Sequence, residues 1–266
     1  KYDTNWNKLW HAIYNTGSSS MGKDIAVDSS GNVYVTGRAY SGTYISAIII
    51  KYNSAGVQQF ATLYSNSRYV EAMGISIDNS GNSYITGSID VNLNYGSGFI
   101  AKYNSAGVQQ WSQIVEYNYL VKSAVDSTGN IFVVGSVWNT PRKDILMKYD
   151  TNGNQVYFSG YGTYIISGYL HQSTSYDSLG SAITIDSADN IYIAGNLITS
   201  AGGWVSGAMA KFSNTGSPVW SRSDTNSQIV NSITRDSNNK LYISGQVNNP
   251  SNYLVSKYDN YPVLPN

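Results

Sequence analysis

Short runs in which apolar and polar residues alternate, interrupted by Asn, Asp and Gly, fill almost the whole chain, and no stretch sustains a helical period. Self-comparison resolves these runs into a repeat. DIAVDSSGNVYVTG, GISIDNSGNSYITG, KSAVDSTGNIFVVG, AITIDSADNIYIAG and SITRDSNNKLYISG align without gaps, placing Asp28, Asp78, Asp126, Asp186 and Asp236 in one column at spacings of 50, 48, 60 and 50. Downstream of each, blocks such as IIIKYNSAGVQQF and FIAKYNSAGVQQW carry a lysine column through Lys51, Lys102, Lys148 and Lys211. Each unit reads as four strands. The first runs into a D-x-x-G-N turn, the second stops at Gly37, Gly87, Gly135, Gly195 or Gly245, the third ends in Lys-Tyr or Lys-Phe, and the fourth bears Phe60, Trp111, Tyr157 or Trp220. Antiparallel four-stranded units of this length fit propeller blades.

The two ends are unlike the middle. KYDTNWNKLWHAIY opens the chain like the tail of a unit, with Trp10 in the Phe60 column, and YLVSKYDNYPVLPN closes it where a unit loses its fourth strand. The expectation is an all-β, five-bladed propeller in one domain, residues 1–266. Its blades fall near 22–64, 72–115, 121–160, 180–223 and 230–258, the last completed by the amino-terminal strand at 6–14. Opening on Lys1 without a basic-then-apolar leader suits a processed or excised chain.

Composition narrows the function. Charged residues make up only 12% of the 266, and 16 cations balance 16 anions, so solubility rests on hydroxyls and amides. A nucleic-acid partner, which needs a basic stripe to neutralise phosphates, is excluded by the scatter of single cations. There is no cysteine, so no disulfide framework, thiolate nucleophile or Cys-ligated zinc, and two histidines make no transition-metal motif. No cofactor motif is present. The longest apolar run, Ala47 to Ile50, is far short of the roughly 18–20 residues of a membrane span. No Asn-x-Ser/Thr sequon occurs.

The D-S-x-G-N-x-Y-x-x-G motif followed by K-Y-N-x-x-G-x-x-W resembles the bacterial beta-propeller repeats often called SBBP, over nearly the whole chain. That resemblance implies a propeller and a secreted or cell-surface setting without an assigned reaction, and it brings no catalytic residues. The family's name implies seven blades where this chain supplies five. Tachylectin-like lectins and some glycoside hydrolases share the five-bladed fold.

Up-and-down strands put the two repeated turns of each unit on one face and the variable connections on the other. Loops on a rigid scaffold are where binding residues are usually placed. The variable connections are rich in Tyr, which supplies 24 aromatics against 6 Trp and 5 Phe. Flat apolar rings beside hydrogen-bonding groups suit the C–H faces and hydroxyl rims of sugars. Tyr44, Tyr95, Trp138, Trp204, Arg38, Tyr117, Arg142 and Tyr169 are the ligand-binding candidates. Many of these aromatics equally suit interblade packing. The repeated Asp residues read as turn caps rather than calcium ligands, since D-x-x-G-N lacks alternating acids and a distal Glu. A glycosidase needs two carboxylates roughly 5–9.5 Å apart. Asp24, Glu71 and Glu116 are the carboxylates for that role. The long connection near 160–180, with His171, lacks a nucleophile elbow.

The reading is a non-catalytic extracellular or cell-surface binding module for a glycan or protein. The alternatives are a structural subunit of a surface layer, filament or larger assembly, with neighbouring subunits as partners, and a glycoside hydrolase.

Overall fold

A computed structural model describes residues 1–15, 19–40, 42–65, 69–90, 96–137, 143–159, 176–199, 204–224, 229–247 and 252–258. The chain divides into two compact units, residues 1–116 and 117–266. Among the described residues the strands form five antiparallel sheets, each an uncrossed meander.

Unit one holds two sheets. The first is β1 (Ser20–Val27), β2 (Val33–Tyr40), β3 (Ile45–Tyr52) and β4 (Gln58–Tyr64), and the second is β5 (Val70–Ile77), β6 (Ser83–Ile89), β7 (Ser97–Tyr103) and β8 (Gln109–Val115). Tyr34, Ala47 and Ile49 of the first sheet pack against Val70, Phe99 and Ala101 of the second, with Tyr64 stacked on Phe99 at 4.6 Å between ring centres. β6 is buried at every position, whereas the outer strand β8 keeps an exposed side.

Unit two holds three sheets. These are β9 (Asn118–Val125), β10 (Ile131–Val137), β11 (Lys143–Tyr149) and β12 (Gln155–Ser159); then β13 (Tyr176–Ile185), β14 (Ile191–Thr199), β15 (Trp204–Phe212) and β16 (Pro218–Asp224); and last β17 (Ile229–Arg235), β18 (Leu241–Gln246) and β19 (Tyr253–Tyr258). Phe132, Val134 and Leu146 pack on Ile193, Ala208 and Phe212, and Tyr192 and Met209 on Val230, Ile233 and Ile243.

The repeated columns now acquire causes. Asp28 caps its own turn: Oδ1 accepts the Ser30 and Asn32 amides, and Oδ2 accepts Asn32 Nδ2 at 2.8 Å and the Tyr34 hydroxyl at 3.3 Å. Asp78 and Asp186 repeat the scheme down to the tyrosine. In the third sheet Phe132 stands where the tyrosine would be, and Lys148 Nζ lies 3.7 Å from Asp126 Oδ2 instead. Every first strand carries a β-bulge at one equivalent place. That bulge explains the glycine column, because a Cβ on Gly37, Gly87 or Gly135 would sit 2.0 Å from the carbonyl oxygen of Met21, Glu71 or Tyr119.

Neighbouring sheets are joined by a second repeated device. Lys51 lies over the Tyr34 ring at 4.9 Å and donates to the Ser105 carbonyl at 3.1 Å; Lys148 does the same with Phe132 and Asn214. Phe60 rests against Gly107 and Tyr157 against Gly216, each ring within 2.6 Å of where a glycine Cβ would be. Only glycine, with its left-handed backbone at φ near +82°, admits the ring.

The amino terminus copies this device. Lys1 Nζ donates to the Ser54 carbonyl, Trp10 Nε1 donates to the same oxygen at 3.0 Å, and the indole sits on Gly56 as Phe60 sits on Gly107. Trp10 therefore makes the ring-on-glycine contact that its likeness to Phe60 implies. Residues 7–14, expected as a fourth strand of the last sheet, form only a hairpin of their own: Tyr2 bridges Lys8, and Asp3 caps the turn through the amides of Asn5 and Asn7. Lys1 and Tyr2 occupy the pairing positions along Lys8–Trp10 that a neighbouring third strand would take, and among the described residues the sheet of β17, β18 and β19 has three strands.

Candidate functional site

The loop ends of the first two sheets bring together side chains that no repeat column repeats. Arg38 follows the column glycine of β2, where the other sheets have Ser88, Ser136, Asn196 and Gln246. Glu71 sits opposite Ser88 in β5, the position held by Met21 in β1 and Ile229 in β17. Arg38 donates to the Tyr69 hydroxyl at 2.7 Å, and that hydroxyl donates to Glu71 Oε2 at 3.0 Å. Lys23, the bulged residue of β1, reaches Glu71 Oε1 at 3.0 Å, with Arg38 at 3.5 Å from the same oxygen. Oε1 is buried and takes no well-aligned hydrogen bond, so the two cations balance its charge as ion pairs.

Tyr69 is held in place by Asp90, whose amide donates to the Tyr69 carbonyl at 2.7 Å and whose Oδ1 accepts the Tyr69 amide at 3.2 Å, and by a parallel bridge to Ile45. Burial pushes its phenol above the ordinary range, the Glu71 carboxylate adds to the rise, and Arg38 partly offsets it. Lys23 and Arg38 keep 28% and 30% of their side chains open to solvent against 9% for Glu71, so the cluster is a buried carboxylate under two accessible cations. Tyr44, the residue before the bridged Ile45, is 47% exposed.

The remaining predicted residues are placed as follows. Tyr117, 48% exposed, has a left-handed backbone at φ 58° in the tight turn before β9. Trp204 begins β15, paired through its backbone with Ile198. Tyr95, Trp138, Arg142 and Tyr169 lie outside the described residues, as does His171. The three carboxylates have separate surroundings: Asp24 accepts the Ile75 amide at 2.9 Å and so ties β1 to β5, Glu71 is in the ion cluster, and Glu116 is exposed at the end of β8.

The sequence reading did not foresee the Arg38–Tyr69–Glu71–Lys23 cluster. Its one sequence signal is departure from the columns, a lone Arg and a lone Glu where other units carry small or apolar residues. Unit two has a neutral counterpart, since Asn196, in the Arg38 column, binds both the amide and carbonyl of Val230. Arg235 is also a clasp, donating to the Ile185 carbonyl at 2.7 Å and to Asn239. Both oxygens of the turn aspartates are filled by protein donors, and no group of acidic or histidine side chains among the described residues could hold a metal.

The SBBP beta-propeller repeat family matches residues 9–44 and 59–94. No curated protein matches the sequence. Among solved structures the chain is similar to a protein of unknown function from Dyadobacter fermentans, with 10% identity over 85% of this chain and 75% of that one, at a TM-score of 0.59. A protein of unknown function from Bacteroides caccae gives 12% identity over 93% and 78%, at 0.57. The Dos1 propeller gives 11% identity and a TM-score of 0.54 over 85% of this chain and about half of that one, 53%. At these identities the likeness shows the fold alone.

Proposed function

We propose that this chain, which carries SBBP beta-propeller repeats in sequence and five sheets of one plan in structure, is a non-catalytic binding module of the cell exterior that takes a glycan on its variable loop face. In the finer reading of the fold, the five sheets are the blades of one propeller, closed when residues 7–14 join the last sheet as its fourth strand. The observation that carries the binding reading is that the exposed Tyr44 directly precedes Ile45, which bridges the Tyr69 of the Arg38–Glu71–Lys23 cluster. A planar apolar face near oriented hydrogen-bonding groups suits a sugar ring, and the two cations are already engaged by Tyr69 and Glu71. Tyr95, Trp138 and Trp204, which lie in three other second-to-third-strand connections of the sequence, are further ligand-binding candidates in this reading.

The hydrolase alternative is weakened by the separate engagements of Asp24 and Glu71.

A glycan array with surface-protein and chromogenic-glycoside screens tests the proposal. Tyr44→Ala, with Trp138→Ala and Trp204→Ala beside it, is expected to weaken binding at least tenfold while leaving the melting temperature within 2 °C or so, an effect typical of aromatic anchors. Turnover of a glycoside that Glu71→Gln or Glu116→Gln abolishes would replace the binding reading with the hydrolase one. A folded protein that binds no glycan would refute it.

A further inference from the structure

The position after the column glycine has a structural task that a neutral side chain can perform. In the fourth sheet Asn196 binds the amide and the carbonyl of Val230, and so clasps β14 to β17 without any charge. In the first sheet the same position holds Arg38, and the clasp to β5 is made by a guanidinium, a phenol, an ammonium and a carboxylate. Burying the Glu71 side chain, 9% open, costs desolvation that an amide avoids, and cations at 3.0 and 3.5 Å offset it only in part. Joining two sheets therefore does not account for three charged side chains at this place.

All members of the cluster belong to unit one, and their donors and acceptors are unequally open. Glu71 Oε2 accepts the Tyr69 hydroxyl, and Oε1 is buried against Lys23 and Arg38. The neighbouring carboxylates are engaged as well, Asp24 by the Ile75 amide at 2.9 Å and Asp90 by the Tyr69 amide at 3.2 Å. The cations have capacity left. Among the described residues Arg38 engages Tyr69 and Glu71 through Nη1 alone, and Lys23, with three N–H groups, reaches the one acceptor Glu71. Two cations and three carboxylates meet here, but each carboxylate is turned onto a donor of the protein, whereas Lys23 and Arg38, 28% and 30% open, keep N–H groups for solvent. The nearest charges an arriving group meets are positive.

Sugar hydroxyls both donate and accept, so a site for a neutral glycan offers acceptors beside its donors. A site whose acceptors are already filled suits a group that only accepts. We propose that the glycan bound here is acidic: a uronic-acid carboxylate or a sulfate ester sits across Arg38 and Lys23, taking paired hydrogen bonds from the Nε–Nη2 edge of the guanidinium. This rests on the glycan-binding reading and names its substrate class. Tyr69 is then a positioning residue, because its hydroxyl accepts from Nη1 and donates to Glu71 and so fixes the plane in which the other edge of Arg38 is presented. Glu71 tempers the attraction for the anion while keeping both cations in place.

The test uses the full chain and pairs of polymers that share a backbone, polygalacturonate with its methyl ester and a sulfated galactan with its desulfated form, titrated by calorimetry at low and high salt. The acidic member of one pair is expected to bind roughly tenfold or more tighter than its neutral partner, by an amount that shrinks at high salt, and the pair that responds distinguishes carboxylate from sulfate. Arg38→Gln combined with Glu71→Gln removes one cation and one anion together, so the buried site keeps its balance, as the circular dichroism melt will verify, and the acidic preference should disappear. Glu71→Gln alone should tighten acidic binding, and Tyr69→Phe should weaken the acidic preference without changing the binding of neutral polymers. Equal binding of both members of each pair, or a preference that the folded double variant retains, overturns the inference and leaves a glycan-binding module standing. Binding of neutral glycans alone does the same, whereas a glycan array without any hit overturns both readings.

Discussion

Replacing Asp126 by Ala isolates what one repeated turn contributes. Asp126 is buried and its carboxylate accepts the Thr128 amide at 3.0 Å, the Thr128 hydroxyl at 2.8 Å, the Asn130 amide at 2.8 Å and Asn130 Nδ2 at 2.8 Å, with Lys148 3.7 Å away. A hydrogen bond to a charged group is worth about 1.5–3 kcal/mol net, but these four act as one local unit and are not additive. The freed amides lie at the turn surface, where water partly replaces the carboxylate. The expected cost is therefore about 2 kcal/mol, which lowers the melting temperature by roughly 4–8 °C at about 2–4 °C per kcal/mol for a unit of this size. Asp150→Ala, at an exposed turn with the same local bonding, should shift it less. Differential scanning calorimetry of the three proteins, with and without calcium, decides the matter. A change below 1 °C or so for Asp126→Ala, or a calcium-dependent rise in the parent that the variant loses, would refute the turn-cap account.

Other expectations follow from the same geometry. Gly87→Ala, whose methyl would meet the Glu71 carbonyl oxygen at 2.0 Å, should abolish the bulge and cost more than about 3 kcal/mol, whereas Gly22→Ala, with only Val35 at 3.8 Å, should stay within about 1 kcal/mol in urea titrations. Burial raises the Asp28, Asp126 and Asp186 carboxyls, but the Asn, Thr and backbone bonds outweigh it and hold all three below 3.8. Their contribution is thus complete above that value and is lost as pH falls through the lowered folded-state values, so stability should be flat from pH 7 to about 5 and decline below about pH 4 in urea melts. Deleting residues 1–14 should uncover Ile48, Ile50 and Tyr52 and promote aggregation, read by light scattering; a truncated chain that stays monomeric with an unchanged melt would contradict the hairpin's role.

The repeat columns were legible because each turn is a local device: Asp28, Asn32 and Tyr34 lie within six residues, and their bonding follows from spacing. The glycine column was legible as a column but not as a cause, since the Met21 carbonyl that fills the Cβ position of Gly37 is brought there by a bulge without a sequence mark. Trp10 could be assigned from its likeness to Phe60. The hairpin that Lys1 and Tyr2 make with Lys8 depends on which of two equivalent Lys-Tyr segments takes the strand, and alignment treats them alike. At the site, Arg38 and Glu71 were each singled out, but for different roles. Their meeting through Tyr69 depends on the lateral packing of two sheets and on the outward turn of Lys23, which strand alternation alone does not convey.

The lysine and aromatic of one sheet, fitting the carbonyl and glycine of the next, also bear on how such a chain can grow. Each unit carries a plug on one side and a matching socket on the other, so a duplicated unit arrives already able to fit between any two of its kin. Length can change by whole units without redesign of a core, while the variable connections diverge independently on the opposite rim. Within each half of the chain the same joint recurs between successive sheets, so the device is portable from one unit to the next.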